Sequence, residues 1–297
     1  MTSVEPLIIN LAPTGMIPTK EMTPHVPTSC EEILEDVARC RELGACIVHV
    51  HARESDGTPS HRAELFAPIV GGIRRIDPEM IVCVSCSGRY VSELEKRAEV
   101  LDLDIGAKPD MASLTLGSNN FAREASVNPP EVIVGLAERM RERGIAPEIE
   151  VFEPGMLSFA AHLVGRGVLP ESCYVNILLG NLGTSPVSPA ILGAFLGLLP
   201  EGWIWAAAGL GRYQIDTNLL AIAAGGHVRV GLEDNIWWDR ERTRLATNPD
   251  LVERVARSAE LAGRPIATPR EARERLGLRR PAGITHNAWS QVGRSFG

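Results

Sequence analysis

Two histidines one residue apart, His49 and His51, end the β-branched run Ile47-Val48-His49-Val50-His51, and Asp56-Gly57 turns the chain just beyond. Strand side chains repeat every second residue, so both imidazoles face the same way at the carboxyl end of a strand. One such histidine is ordinarily a core or rim residue with its hydrogen bonds met. Two on one face are costlier, because they lose hydration together and repel on protonation unless a cation or hydrogen-bond partners take up the lone pairs. The pair points to a metal site.

A third ligand is available at Glu233, in the turn Gly231-Leu232-Glu233-Asp234-Asn235 after the strand His227-Val228-Arg229-Val230. Two histidines and a carboxylate hold zinc or a similar divalent ion and leave positions open for substrate. Asp234 stands close to Arg229, and an acid kept ionised by a cation is available as a base, although Asp–Arg pairs are often purely structural. Ser85, Ser113 and Glu150 fall at other strand ends; Glu148 shares a face with Glu150, and carboxylates pointing inward need partners. Gly209-Leu210-Gly211-Arg212 follows a further strand, where backbone N–H groups at a helix entry can take phosphate; a tight turn gives the same pattern.

The elements that must position these residues alternate along the chain. Strands are expected at 7–11, 47–51, 81–85, 111–114, 148–151, 174–179, 203–208 and 227–230. Helices are expected at 30–43, 61–76, 91–101, 130–143, 157–166, 189–199, 213–224 and 249–262. Ser29 and Glu32 make a capping box for the first helix, and Gly44 supplies its stop. The alternation predicts an α/β chain, a (β/α)8 TIM barrel in a single domain over residues 1–267. Residues 268–297 read as a C-terminal extension, a short helix at 271–276 and then an extended segment, packing on a neighbouring subunit. A barrel gathers every strand's carboxyl end on one rim, and strands two and eight both flank strand one, so His49, His51 and Glu233 can meet.

With 297 residues, 44% of them hydrophobic and 23% charged, the chain can bury a full core. A net charge of −7 argues against nucleic acid or an anionic membrane as partner, since both require a basic face. The first residues carry no basic, apolar leader and no apolar run spans a bilayer, so a cytoplasmic protein is expected. The cysteines are scattered as reduced thiols are; Cys83-Val84-Ser85-Cys86 has a redox-like spacing but lies on a strand rather than opening a helix. Ile236-Trp237-Trp238 reads as part of a subunit interface or as local packing over the rim.

Several segments, in this order, resemble the β-keto acid cleavage enzymes: Ala12-Pro13-Thr14-Gly15 with Thr19-Lys20, His49-Val50-His51-Ala52-Arg53, Pro59-Ser60, Met111-Ala112-Ser113-Leu114, Pro147-Glu148-Ile149-Glu150, Ala208-Gly209-Leu210-Gly211-Arg212, and Gly226 to Asn235. The likeness spans nearly the whole chain. It implies a zinc-dependent barrel that transfers an acyl group from a β-keto acid to acetyl-CoA, giving acetoacetate and a new acyl-CoA. Under it His49, His51 and Glu233 resemble the zinc ligands, and another divalent metal is an alternative. Asp234, with Arg229 and Ser85 arranging it, resembles the proton-removing group. Glu150 and Ser113 resemble supporting positions, and Thr14, Ile17, Gly209, Gly211 and Arg212 fall beside the substrates. Barrels of this sort assemble, and a homo-oligomer, a tetramer foremost, is expected.

Departures bear on the substrate. Where the member acting on an amino-bearing keto acid has a glutamate, this chain has Ile17, which predicts a neutral alkyl or hydroxylated keto acid unless Arg53 or Arg89 turns inward to favour an anionic one. Thr115 and Asn119 replace the more usual Asn and Leu, and Gly180-Asn181-Leu182-Gly183 replaces a Pro-Gly-Gly pattern. Two alternatives stay open: a zinc hydrolase of the amidohydrolase kind, whose His-x-His pair would sit on strand one, and a non-catalytic protein that binds zinc and keto acid.

Overall fold

The structure is a computed structural model that describes residues 4–279 apart from 105 and 123. Its strands are β1 (Ile9–Leu11), β2 (Ala45–Val50), β3 (Ile81–Val84), β4 (Met111–Thr115), β5 (Ala146–Val151), β6 (Tyr174–Leu179), β7 (Ile204–Gly209) and β8 (His227–Val230). All pair in parallel with their sequence neighbours, and β8 returns to β1, which closes the barrel. Helices α1 (Cys30–Glu42), α2 (Ala63–Ile76), α3 (Leu94–Ala98), α4 (Pro130–Arg143), α5 (Pro154–Gly165), α6 (Pro189–Leu198), α7 (Gln214–Ala223) and α8 (Asn248–Leu261) alternate with the strands, and α9 (Pro269–Arg275) follows. Two short antiparallel ribbons, 52–53 with 59–60 and 119–120 with 125–126, stiffen loops on the carboxyl rim.

Local chemistry accounts for most boundaries. Ser29 Oγ accepts from the Glu32 amide and the Glu32 carboxylate accepts from the Ser29 amide, so the expected box caps α1. α4 ends on Gly144 at φ +62°, the left-handed stop a basic final turn leads into. The helix expected over 91–101 instead splits into α3 and a tighter turn, Glu99–Asp102, winding that buries Val100 and Leu101 together. The first strand is shorter than expected, with Leu7 bridging to Ile266 beyond the last barrel helix.

The main core lies between strands and helices. A smaller one, Ile8, Ile47, Ile81, Met111, Tyr174 and Ala206, fills the lower barrel interior and runs on into Ala267, just before α9, and Ala272 within it. The helix expected at 271–276 is thus α9, seated under the barrel of its own chain. There the buried Arg273 donates to Glu79 O, Met80 O and the Asp110 carboxylate. The expected extended segment after residue 279 lies outside the described residues. Among the described residues no helix is long and apolar enough to cross a membrane. Trp238 is held between Arg244 and Arg254, with their guanidinium carbons 5.0 and 4.6 Å from its ring, so this part of the tryptophan segment packs locally.

Candidate metal and active centre

Alternation along β2 turns His49 into the barrel and leaves His51 just past the strand on the same side. His49 Nδ1 lies 2.5 Å from Glu148 Oε2, a fully buried carboxylate that also takes the Asn10 amide at 2.6 Å and the Cys83 thiol at 3.2 Å. A carboxylate on Nδ1 holds a proton there and fixes the ring so that Nε2 is the nitrogen turned toward the site. That nitrogen points at His51 Nε2, 3.3 Å away, and His51 Nε2 lies 3.2 Å from Glu233 Oε1. Glu233 Oε2 is buried without a hydrogen-bond partner.

These observations fit a bound cation. Ligand atoms held roughly 2.0–2.1 Å from a tetrahedral ion lie about 3.3 Å apart. His49, His51 and Glu233 form one group whose donor atoms converge; His49, Cys83 and Glu148 form another. The second is the poorer candidate, because burial and the Glu148 charge push the Cys83 thiol well up, and a metal needs the thiolate. No third histidine joins either group among the described residues, and the pair sits on β2, so the amidohydrolase pattern is not met.

The charge count points the same way. Four carboxylates, Glu148, Glu150, Glu233 and Asp234, surround one guanidinium in direct contact with the site, that of Arg229. Its Nε and Nη2 grip Asp234 at 3.0 and 3.2 Å, Nη2 also reaches Glu233 at 2.6 Å, and Nη1 reaches Glu150 at 3.0 Å. Glu150's other oxygen accepts from Thr115 Oγ1 at 2.8 Å. Burial alone would lower the His49 pKa, but the Glu148 charge outweighs it and lifts the ring to about 9. Burial would raise Glu148, yet His49 holds it at about 2. Burial lowers His51, whereas Glu233 is held well down by Arg229 against its own desolvation. Asp234 goes the other way: burial, aided by the Glu233 charge, raises it in spite of Arg229.

Backbone economy places β8's cargo. The ladder between β7 and β8 registers only Ala206 with His227 and Ala207 with Val228, so carbonyls beyond it need other donors. α7 supplies them, Asn218 Nδ2 to Arg229 O at 3.0 Å and Gln214 Nε2 to Gly231 O at 2.9 Å. A Cβ on Gly231, at φ +153°, would lie 2.1 Å from Ala12 O, so glycine alone lets the turn press on β1 and carry Glu233 inward.

The other expected residues divide. Gly211 donates its amide to Asp234 O at 2.7 Å and so steadies the turn that carries Glu233 and Asp234, whereas Gly209 packs against Tyr213 O. Arg212 is exposed. Ser113 Oγ accepts the Cys86 amide at 3.0 Å and Ser85 Oγ the Ser87 amide at 3.3 Å; both hydroxyls shape the loop after β3, and no hydrogen bond joins Ser85 to Asp234. Thr14 is buried with its hydroxyl unpaired, and Ile17 is 41% exposed on the loop after β1. Cys83 and Cys86 are buried free thiols with raised pKa values, the reverse of a redox nucleophile. Asn10, Cys83, Thr115 and the role of Glu148 escape sequence reading; the one available signal is the inward pair Glu148 and Glu150.

A family model for the beta-keto acid cleavage enzyme matches residues 6–278. The chain is 37% identical over 276 residues, 93% of its length and 99% of the relative's, to a 3-keto-5-aminohexanoate cleavage enzyme of Acetoanaerobium sticklandii. It is 37% identical over 278 residues, 92% of its length and 95% of the relative's, to a 3-oxoadipate:acetyl-CoA acetyltransferase of Cupriavidus necator. Among solved structures, the ternary complex of ObcA with C4-CoA adduct and oxalate matches with a TM-score of 0.71 at 20% identity, over 86% of this chain and 68% of that one, a likeness of fold.

Proposed function

The chain belongs to the beta-keto acid cleavage enzyme family, and from that premise we propose a zinc-assisted acyl transfer from a β-keto acid to acetyl-CoA that yields acetoacetate and a new acyl-CoA. His49, His51 and Glu233 would hold the metal, zinc or another divalent ion. When bound, the ion supplies Lewis acidity that draws charge from the keto acid's carbonyl and carboxylate oxygens.

The chain's own groups account for the proton traffic. Asp234, gripped at both oxygens by Arg229, is fixed in orientation, and burial, with the Glu233 charge, raises its pKa and so its strength as a base. It takes the proton from the carbon between the ketone and the carboxylate. That carbon attacks the thioester carbonyl and expels the coenzyme thiolate. The thiolate then attacks the original ketone, the carbon–carbon bond breaks, and acetoacetate leaves with the proton returned by Asp234. Glu150 and Thr115 keep Arg229 from swinging away. Ile17 offers no acid to an amino group, so the distal end carries no positive charge; Ile17 alone supports a neutral end, and nearby cations extend the range to an anionic one.

The observation that carries this reading is the convergence of two Nε2 atoms and a Glu233 oxygen beside an arginine-locked aspartate. Zinc-loaded protein with acetyl-CoA and a panel of β-keto acids should form acetoacetate and new acyl-CoA, read by mass, and His49→Ala and Asp234→Asn should abolish both. Bound zinc with no acetoacetate from any keto acid overturns the reading. The same reading includes a cytoplasmic homo-oligomer, a tetramer foremost; ultracentrifugation of the full chain tests the assembly.

A further inference from the structure

Arg89 sits on a loop anchored just before it, where Gly88 O accepts the Val127 amide. Arg97 donates to Cys86 O and Asn128 Oδ1, both at 2.8 Å, and a Cβ on Gly88 would lie 2.7 Å from Val127 O. The loop lays the Arg89 guanidinium over Phe121, 3.6 Å from the ring centroid, and Phe121 meets Phe152 edge-on at 5.6 Å just past β5. The Arg89 side chain is only 13% exposed. Its nearest acid, Glu124, stands 3.7 Å from Nε, outside hydrogen-bond reach, and Glu124 already serves the Tyr90 hydroxyl.

Among the described residues the guanidinium makes no hydrogen bond, and its loop follows β3 on the carboxyl rim of the barrel; burial lowers its pKa, with the Glu124 charge foremost among those that oppose the shift. Arg53 is different. Its Nη1 and Nη2 donate to Gly57 O, Gly15 O and Pro18 O, where it holds the loop that carries Ile17, and its buried Nε faces no acceptor among the described residues. A largely buried guanidinium whose donors lack close acceptors is costly, and stacking on an aromatic face leaves its planar edge free for a two-point bond to a carboxylate.

We propose that Arg89 selects the keto acid by pairing with a second carboxylate at its distal end, with Ile17 against the methylenes between. This rests on the cleavage reading above and deepens it: the preferred substrate is a 3-oxo dicarboxylic acid. Glu124, 3.7 Å from Nε, is the acid that competes for Arg89.

The test compares a 3-oxo dicarboxylate with a 3-oxo monocarboxylate of equal length, each with acetyl-CoA and with acetyl-pantetheine, a thioester without phosphates. Arg89→Met should raise KM for the dicarboxylate about ten- to a hundredfold with either thioester and leave the monocarboxylate unchanged. Arg89→Lys should fall between, because it keeps the charge and loses the fork. Glu124→Gln should act in the opposite direction and lower KM for the dicarboxylate, an effect no folding defect produces. Equal effects on both keto acids, or none, overturn the proposal, and a change seen with acetyl-CoA that vanishes with acetyl-pantetheine reassigns Arg89 to the coenzyme. If the native protein cleaves neither acid, the cleavage reading itself falls.

Discussion

The barrel buries arginine at both ends, and the two clusters are built to opposite specifications. At the base, Arg74 and Arg273 share one acid, Asp110, which receives them at 2.6 to 2.8 Å. Their remaining donors end on the carbonyls of Glu79, Met80, Lys108 and Arg279. Val82 adds its amide to the same carboxylate at 2.8 Å and the Glu79 carboxylate stands 3.9 Å from Arg273 Nε, so two acids answer two guanidinium groups at the base. At the mouth one arginine meets three of the four acids, two imidazoles turn their Nε2 atoms on each other at 3.3 Å, and a Glu233 oxygen has no partner. A buried network that satisfies itself fixes structure, whereas one with surplus charge and unpaired atoms waits for a ligand.

The sharpest way to break that contrast is to disarm each end in turn. Asp234→Asn keeps shape and removes the base, so kcat should fall about 10²- to 10⁴-fold while the melting temperature stays near that of the native protein. Arg273→Met strands part of a buried ion network and should cost about 3–5 kcal/mol of stability with kcat per folded molecule unchanged. Denaturant melts beside steady-state rates read both. Were the two variants to lose stability alike, the mouth would be a structural cluster like the base.

A smaller effect sharpens the role of the one acid that faces both worlds. Glu148 lies deepest in the mouth cluster and touches no metal position itself, yet it sets which nitrogen of His49 is turned toward the site. Glu148→Gln should weaken zinc binding about 10- to 100-fold, measured by competition with a coloured chelator, with the fold retained. Unchanged zinc affinity would mean that His49 is oriented by packing alone.

How far the chain announced all this depends on the range of each interaction. Strand alternation placed His49 and His51 on one face, and the order of strands brought Glu233 to them, because both depend on local periodicity and on the closure rule of a barrel. The partner of His49 is 99 residues away, and nothing in the period of β5 says that Glu148 rather than Glu150 would meet it. Ser85 marks another limit of range: the sequence places a polar residue at a strand end, and the structure adds that its hydroxyl accepts a backbone amide two residues on, which leaves its own O–H to donate. The base was illegible for the same reason, since Arg273 and Asp110 stand 163 residues apart and an arginine-rich tail segment reads as surface.

The smallest expected effect separates the histidines of the two ends. At the mouth an acid on Nδ1 favours the charged ring of His49. At the base, His227 opens β8 with Nδ1 accepting the Ile8 amide at 3.0 Å, a bond that a proton on that nitrogen would destroy. Burial first, and then Arg264 and Arg275, push its pKa down to about 3, with Glu5 3.2 Å from the other nitrogen too weak to reverse them. The unfolded ring titrates near 6.5. Between those values the unfolded chain binds a proton that the folded chain refuses, so this contribution to stability is complete above pH 6.5 and is lost as the pH falls toward 3. His227→Asn keeps an acceptor for the Ile8 amide and cannot titrate. Melts at pH 7 and pH 4 should therefore show the variant losing less stability than the native chain on acidification, and an equal loss would mean that His227 is already protonated against Glu5 in the fold.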